Sequence, residues 1–240
     1  MKYDSIGIIG GFGAFATLDF LSRFFIRFRS DCERNYPRIV MDNNFKMPSR
    51  TRCLLSGSGR EEIVQAMAQS MRLMLRENVE KIILVCGAAH CFLEDVFQVV
   101  PEAEPRVIHM VDTLGAELQS AQVHDVTVLA AEGTLAKNLY GLRLANFHID
   151  CTSPTEKQYP TLRLFIEAVK QNNVNEEILL RLVDFLSGFP SSNVILGCTE
   201  FPVIVRQLRQ HPELSKEIRR YCFWDPLESI LNSLESNNNI

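Results

Sequence analysis

Two cysteines stand where a reactive group would be placed. Cys86 ends the apolar run KIILVC (81–86) and is followed by the small residues Gly87, Ala88 and Ala89; Cys198 ends NVILGC (193–198) and is followed by Thr199 and Glu200. A strand-to-helix corner offers free backbone N–H groups and the positive end of a helix. Both favour a thiolate, so a thiol pKa below the ordinary value of about 8.5 is expected. The two cysteines lie 112 positions apart, and IIGGFGAFAT (8–17) and VLAAEGTLAK (128–137) form a second matching pair whose glycines, Gly13 and Gly133, lie 120 apart. Two such similar offsets, joining like corners, predict two similar units. If these face one another across a pseudo-twofold axis, both thiols meet in the cleft between them. A thiolate on one side of a bound carbon and a thiol on the other form a base and an acid. Such a pair inverts a stereocentre by proton transfer.

The elements needed to hold the corners in place are readable. SIGIIG (5–10), RIVMDN (38–43), KIILVC (81–86), VTVLAA (126–131) and NVILGC (193–198) read as buried strands, and VIHMVD (107–112) as another. Helical spacing runs through 16–28, 60–78, 135–144, 161–171 and 176–186, and 224–234 reads as a loop and a helix. Alternating strands and helices predict an α/β chain with mainly parallel sheets in three-layer units, and ligands bind such sheets at the carboxyl ends of strands. Residues 1–110 with 208–240 are expected to form the first unit and 111–207 the second.

The 240 residues are 46% hydrophobic with a formal net charge of −4, an ordinary globular composition that gives nucleic acid little to recognise. No apolar run approaches the roughly 18 residues of a membrane helix, so no membrane partner is expected. Seven cysteines without clustered spacing argue for a reducing, cytoplasmic setting. Cys32, Cys53, Cys91, Cys151 and Cys222 are read as structural, and His90 as a residue packed near the turn. GGFG (10–13) lacks the spacing of a dinucleotide loop. No P-loop, Schiff-base lysine motif or metal-ligand cluster is present, and no cofactor or metal is expected.

Four segments together resemble the aspartate/glutamate racemase superfamily, nearest its cofactor-independent aspartate racemase branch: GGFGAFAT (10–17), NFKMPSRT (44–51), CGAAH (86–90) and GCTEFP (197–202). The resemblance runs along nearly the whole chain. It implies two α/β domains with the site between them, a homodimer, and an amino or dicarboxylic acid as substrate. It assigns acid/base roles to Cys86 and Cys198 and substrate contacts to Arg50, Thr199 and Lys170. Gly87 and Ala88 replace an asparagine and a threonine that bond the substrate in the family. Phe12 and Ala14 replace a methionine and a proline, and Ile166 stands where the family has a tyrosine. Phe12, Gly87 and Ala88 are therefore expected to line an altered substrate cradle, with Thr134 a further cleft candidate. The alternatives are a maleate isomerase or decarboxylase chemistry in the same cleft, or a ligand-binding member without turnover.

Overall fold

A computed structural model of the chain describes residues 1–235. Residues 236–240, grouped above with the first unit, lie outside the described residues. Three parallel strands, β1 (Ser5–Gly10), β2 (Arg38–Asn43) and β3 (Lys81–Leu84), form one sheet in the order β2-β1-β3. Helices α1 (Ala14–Arg27), α2 (Arg50–Ser56), α3 (Arg60–Arg76), α4 (Leu93–Val99) and α5 (Met110–Ser120) accompany it. The second sheet takes β4 (Asp125–Leu129), β5 (Asp150–Thr152), β6 (Asn193–Leu196) and β7 (Cys222–Trp224) in the order β5-β4-β6-β7, again all parallel. Its helices are α6 (Glu132–Ala136), α7 (Leu139–Leu144), α8 (Tyr159–Lys170), α9 (Glu176–Ser187), α10 (Phe201–Gln210), α11 (Leu214–Glu217) and α12 (Pro226–Leu234). The first three strands of each unit thus share one order, second-first-third, as the repeated corners imply.

The strands are nearly continuous apolar runs because helices cover both faces of a parallel sheet. Ile6, Ile8 and Ile83 of the first sheet and Val126, Val128 and Ile195 of the second belong to one buried cluster. Phe20 and Phe24 of α1, Val111 and Leu114 of α5, and Leu227 and Ile230 of α12 complete it. One core therefore ties the two sheets together, and each such side chain contributes about 1.5–3 kcal/mol when fully buried.

The run VIHMVD is not a strand. Val107 makes an isolated bridge to Ile82, and α5 begins at Met110. The apolar residues from 110 on recur at helical spacing, with Met110, Val111, Leu114 and Leu118 buried. The helix expected over 135–144 is two short helices, broken at Asn138 with φ 49°. Strand β7 pairs with β6, so residues 222–224 sit in the second sheet, unlike the expected grouping of 208–240 with the first unit. Helix α12 packs on α5 and α1. Among the described residues, no helix is long and apolar enough to cross a membrane.

Candidate active site

Phe12, Cys86, Ala131 and Cys198 each stand two residues beyond the carboxyl end of a strand, after β1, β3, β4 and β6 respectively. All four line one cleft of about 550 Å³, together with Arg50, Gly87, Ala88, Thr134, Lys170 and Thr199. Every residue expected at the site from the sequence is in this cleft. The two cysteine corners touch at its floor: a Cβ on Gly87 would stand 2.5 Å from the Gly197 carbonyl oxygen. Glycine is required there by close approach of backbone to backbone. The asparagine of the resembled motif would collide, so its loss is tied to how closely the halves pack.

Both corners are braced from behind. The buried His90 accepts the Met110 N–H at Nε2 (3.3 Å), which leaves Nδ1 to donate to the Cys86 carbonyl at 2.9 Å. The Tyr140 hydroxyl donates to the Gly197 carbonyl at 3.1 Å. His90 is thus a buried support for the Cys86 corner. Burial, with His109 close by, pushes its pKa down to about 3.

The thiols are not poised as the corner geometry alone predicts. Burial raises Cys86, and the Glu200 charge adds to this; Arg50 and the Ala89 N–H pull the other way without prevailing. Burial also holds Cys198 well above the usual thiol range, reinforced by the charge of Glu200 and by the bond from the Cys198 thiol to Glu200 Oε2 at 2.9 Å. Backbone N–H groups of Ala89 and Glu200 do favour the two thiolates, as expected of helix starts, but desolvation outweighs them. Glu200 is 4% exposed, and the Thr199 hydroxyl donates to it over a long 3.4 Å.

Arg50 begins α2, whose N-cap is Ser49 accepting the Arg52 N–H. Its guanidinium lies 4.7 Å from the Phe12 ring centroid and donates to the carbonyls of Pro48 (2.8 Å) and Phe12 (3.2 Å). Its buried Nε has no partner. The Thr134 hydroxyl is likewise buried and unpartnered. Such groups carry a desolvation penalty of about 1–3 kcal/mol each until something bonds them. Both groups belong to residues that line the cleft.

Lys170 donates to Glu167 at 2.9 Å and is 41% exposed. Burial acts to lower its pKa, but the bond to Glu167 and the charge of Glu200 outweigh this and raise it. The sequence reading did not find Glu132 and Arg163. Glu132, nearly buried at the start of α6, takes two bonds from Arg163 on α8, at 2.7 and 2.8 Å. The spacing Arg163, Ile166, Glu167, Lys170 marks one face of α8 turned to the cleft, and that periodicity was the available signal. Of the cysteines read as structural, Cys53 is buried, but Cys32 and Cys222 are exposed and support no core.

The Asp/Glu/Hydantoin racemase family model matches residues 9–216, and the chain belongs to that family. It is 25% identical over 152 residues to the glutamate racemase of Lactobacillus acidophilus, a match covering 63% of this chain and 56% of that protein. The chain thus spans less than two thirds of that relative's length. Its fold is similar to the Picrophilus torridus aspartate racemase, with a TM-score of 0.79 at 20% identity over 96% of this chain and 92% of that one. The glutamate racemase of Francisella tularensis, in complex with D-glutamate, superimposes with a TM-score of 0.70 at 18% identity, over 98% of this chain and 80% of its own.

Proposed function

We propose that the chain is an amino-acid racemase of the aspartate/glutamate type, working without a cofactor, with Cys86 and Cys198 as its paired acid and base. The observation that carries this reading is the contact of the two cysteine corners at the floor of one cleft. Arg50 favours the thiolate at Cys86, while Glu200, to which the Cys198 thiol is bonded, holds the proton on Cys198. The Cys86 thiolate then removes the α-proton from one face of the substrate, and the Cys198 thiol gives its proton to the opposite face. One Cα–H bond breaks and one forms, and the thiols exchange states; the reverse reaction starts from the exchanged pair. Arg50 Nε and Lys170 hold carboxylate, and the Thr134 and Thr199 hydroxyls complete the polar lining. Gly87 and Ala88 supply no side-chain bonds, which costs the substrate about 0.5–1.5 kcal/mol for each bond lost relative to a motif that has them.

The test is to incubate the protein with single enantiomers of aspartate, glutamate and longer acidic amino acids and follow chirality. Appearance of the opposite enantiomer supports the reading and names the substrate; retention of chirality across the panel contradicts it. The bare surface at Gly87 and Ala88 favours a second reading, a ligand-binding member without turnover. In that case an acid from the panel raises the melting temperature while its chirality stays fixed.

A further inference from the structure

One face of α8 changes character along the cleft. Lys170, Glu167, Ile166 and Arg163 all line it. Lys170 is bonded to Glu167 at 2.9 Å and lies at the end nearer the thiols, where the charges of Glu200 and Cys198 act on it. Ile166, 7% exposed, comes next. Arg163 stands seven residues before Lys170, about 10 Å away along the helix axis at a rise of ~1.5 Å per residue. There it bonds Glu132 through Nε at 2.7 Å and Nη2 at 2.8 Å. From the thiols outward, this wall is an ion pair, an apolar patch and a second ion pair.

The proposed reaction draws on Arg50 and Lys170 at the inner end and gives the outer pair no task. The charges that act most strongly on the thiols are those of Arg50 and Glu200, not those of Glu132 and Arg163. The cleft, at about 550 Å³, is of a size that holds a molecule larger than aspartate or glutamate. Nor does the backbone demand a carboxylate at position 132. Its counterpart in the first unit, 120 positions earlier, is Phe12, which packs against Arg50 at the equivalent corner. The Glu132 side chain is 7% exposed and that of Arg163 65%. Each Glu132 oxygen keeps a lone pair beyond its bond to Arg163, and the guanidinium keeps Nη1 free. A neutral pair with both acceptors and donors to spare complements a group that carries an ammonium and a carboxylate together.

We propose that Glu132 and Arg163 form a distal subsite for the far end of a diamino dicarboxylic acid. Its reacting centre lies between the thiols and its methylenes cross Ile166. Its second amino-acid group meets Glu132 through the ammonium and Arg163 through the carboxylate. The placing of the reacting centre rests on the racemase reading. The test is calorimetric titration of the full chain with diaminopimelate, aminopimelate and lysine. The last two keep the reacting end and lack, respectively, the distal ammonium and the distal carboxylate. Diaminopimelate is expected to bind about 10–100-fold more tightly than either, the worth of a hydrogen bond to a charged group. Glu132→Gln should erase its advantage over aminopimelate, and Arg163→Gln its advantage over lysine, with unchanged far-ultraviolet circular dichroism. Each result is a ratio within one protein, so a general loosening of the cleft does not produce it. Equal binding of the three, no binding of diaminopimelate, or ratios that survive both substitutions overturns the subsite. Chirality followed on the same compounds tests the racemase reading separately. Inversion without the binding pattern overturns the subsite alone; the binding pattern with chirality retained supports the subsite and overturns the racemase reading.

Discussion

The Cys86 and Cys198 corners share a plan and differ in charge. Each thiol stands two residues past the third strand of its unit, receives a backbone N–H, and has a neighbouring carbonyl held by a buried side chain, His90 in one case and Tyr140 in the other. Around this common backbone the ionic neighbours are opposite. Arg50 draws Cys86 toward the thiolate, while Glu200 holds the proton on Cys198. The repeated backbone therefore delivers a thiol from each side, and side chains that do not repeat decide which thiol keeps its proton. In the proposed two-base reaction, this inequality sets which thiol removes the first proton.

The strongest way to break the comparison is to remove either sulphur. Cys86→Ala and Cys198→Ala are each expected to lower the racemisation rate by about 10²–10⁴-fold, the usual contribution of a positioned acid or base. An activity assay in which only one of them matters would show that the corners are not partners. Gly87→Asn tests the contact between the corners. Its new Cβ meets the Gly197 carbonyl, and overpacking of this kind costs about 1–3 kcal/mol, read as a lower Tm. An unchanged Tm would mean that the halves part easily.

Charge is tested by alkylation of each thiol followed against pH with mass spectrometry. Both thiols should react slowly at neutral pH and faster at alkaline pH, because burial raises both. Arg50→Gln should move the Cys86 profile further up, and Glu200→Gln should move the Cys198 profile down. Shifts in the same direction would contradict the assigned asymmetry. The smallest effect concerns the brace. His90 and His109 are held down to about 3 by burial, against about 6.5 in an unfolded chain. Between these values the unfolded chain binds protons that the native one refuses, so stability falls as pH drops from 6.5 toward 3. His90→Gln removes one such group, and the loss of stability between pH 7 and pH 5 in urea unfolding should become shallower. An identical slope in both proteins would mean that His90 is not held neutral.

Much of this was legible in the chain itself. SIGIIG and RIVMDN are strands over the expected residues because short apolar runs closed by glycine or polar residues leave little choice. The repeat pointed to the shared strand order, and the four motifs led to residues that all line one cleft. VIHMVD misled because a six-residue apolar run has no readable period; only the continuation through Leu114 and Leu118 shows the helix. Glu132 escaped because its pairing with Arg163 joins residues 31 positions apart, and Arg163 was signalled only by the helical spacing it shares with Ile166, Glu167 and Lys170. The direction of the thiol shifts escaped for a different reason. A helix start is visible in sequence, whereas the depth at which a sulphur is buried is set by the whole fold.

The most direct test of the central claim is the fate of the α-proton at low conversion in D₂O, using whichever enantiomer the panel identifies. Two thiols on opposite faces predict one solvent deuterium in the newly formed enantiomer, while the unreacted enantiomer keeps its protium. Deuterium entering both enantiomers at the same rate would mean that a single group serves both faces, and the paired-thiol account would fall.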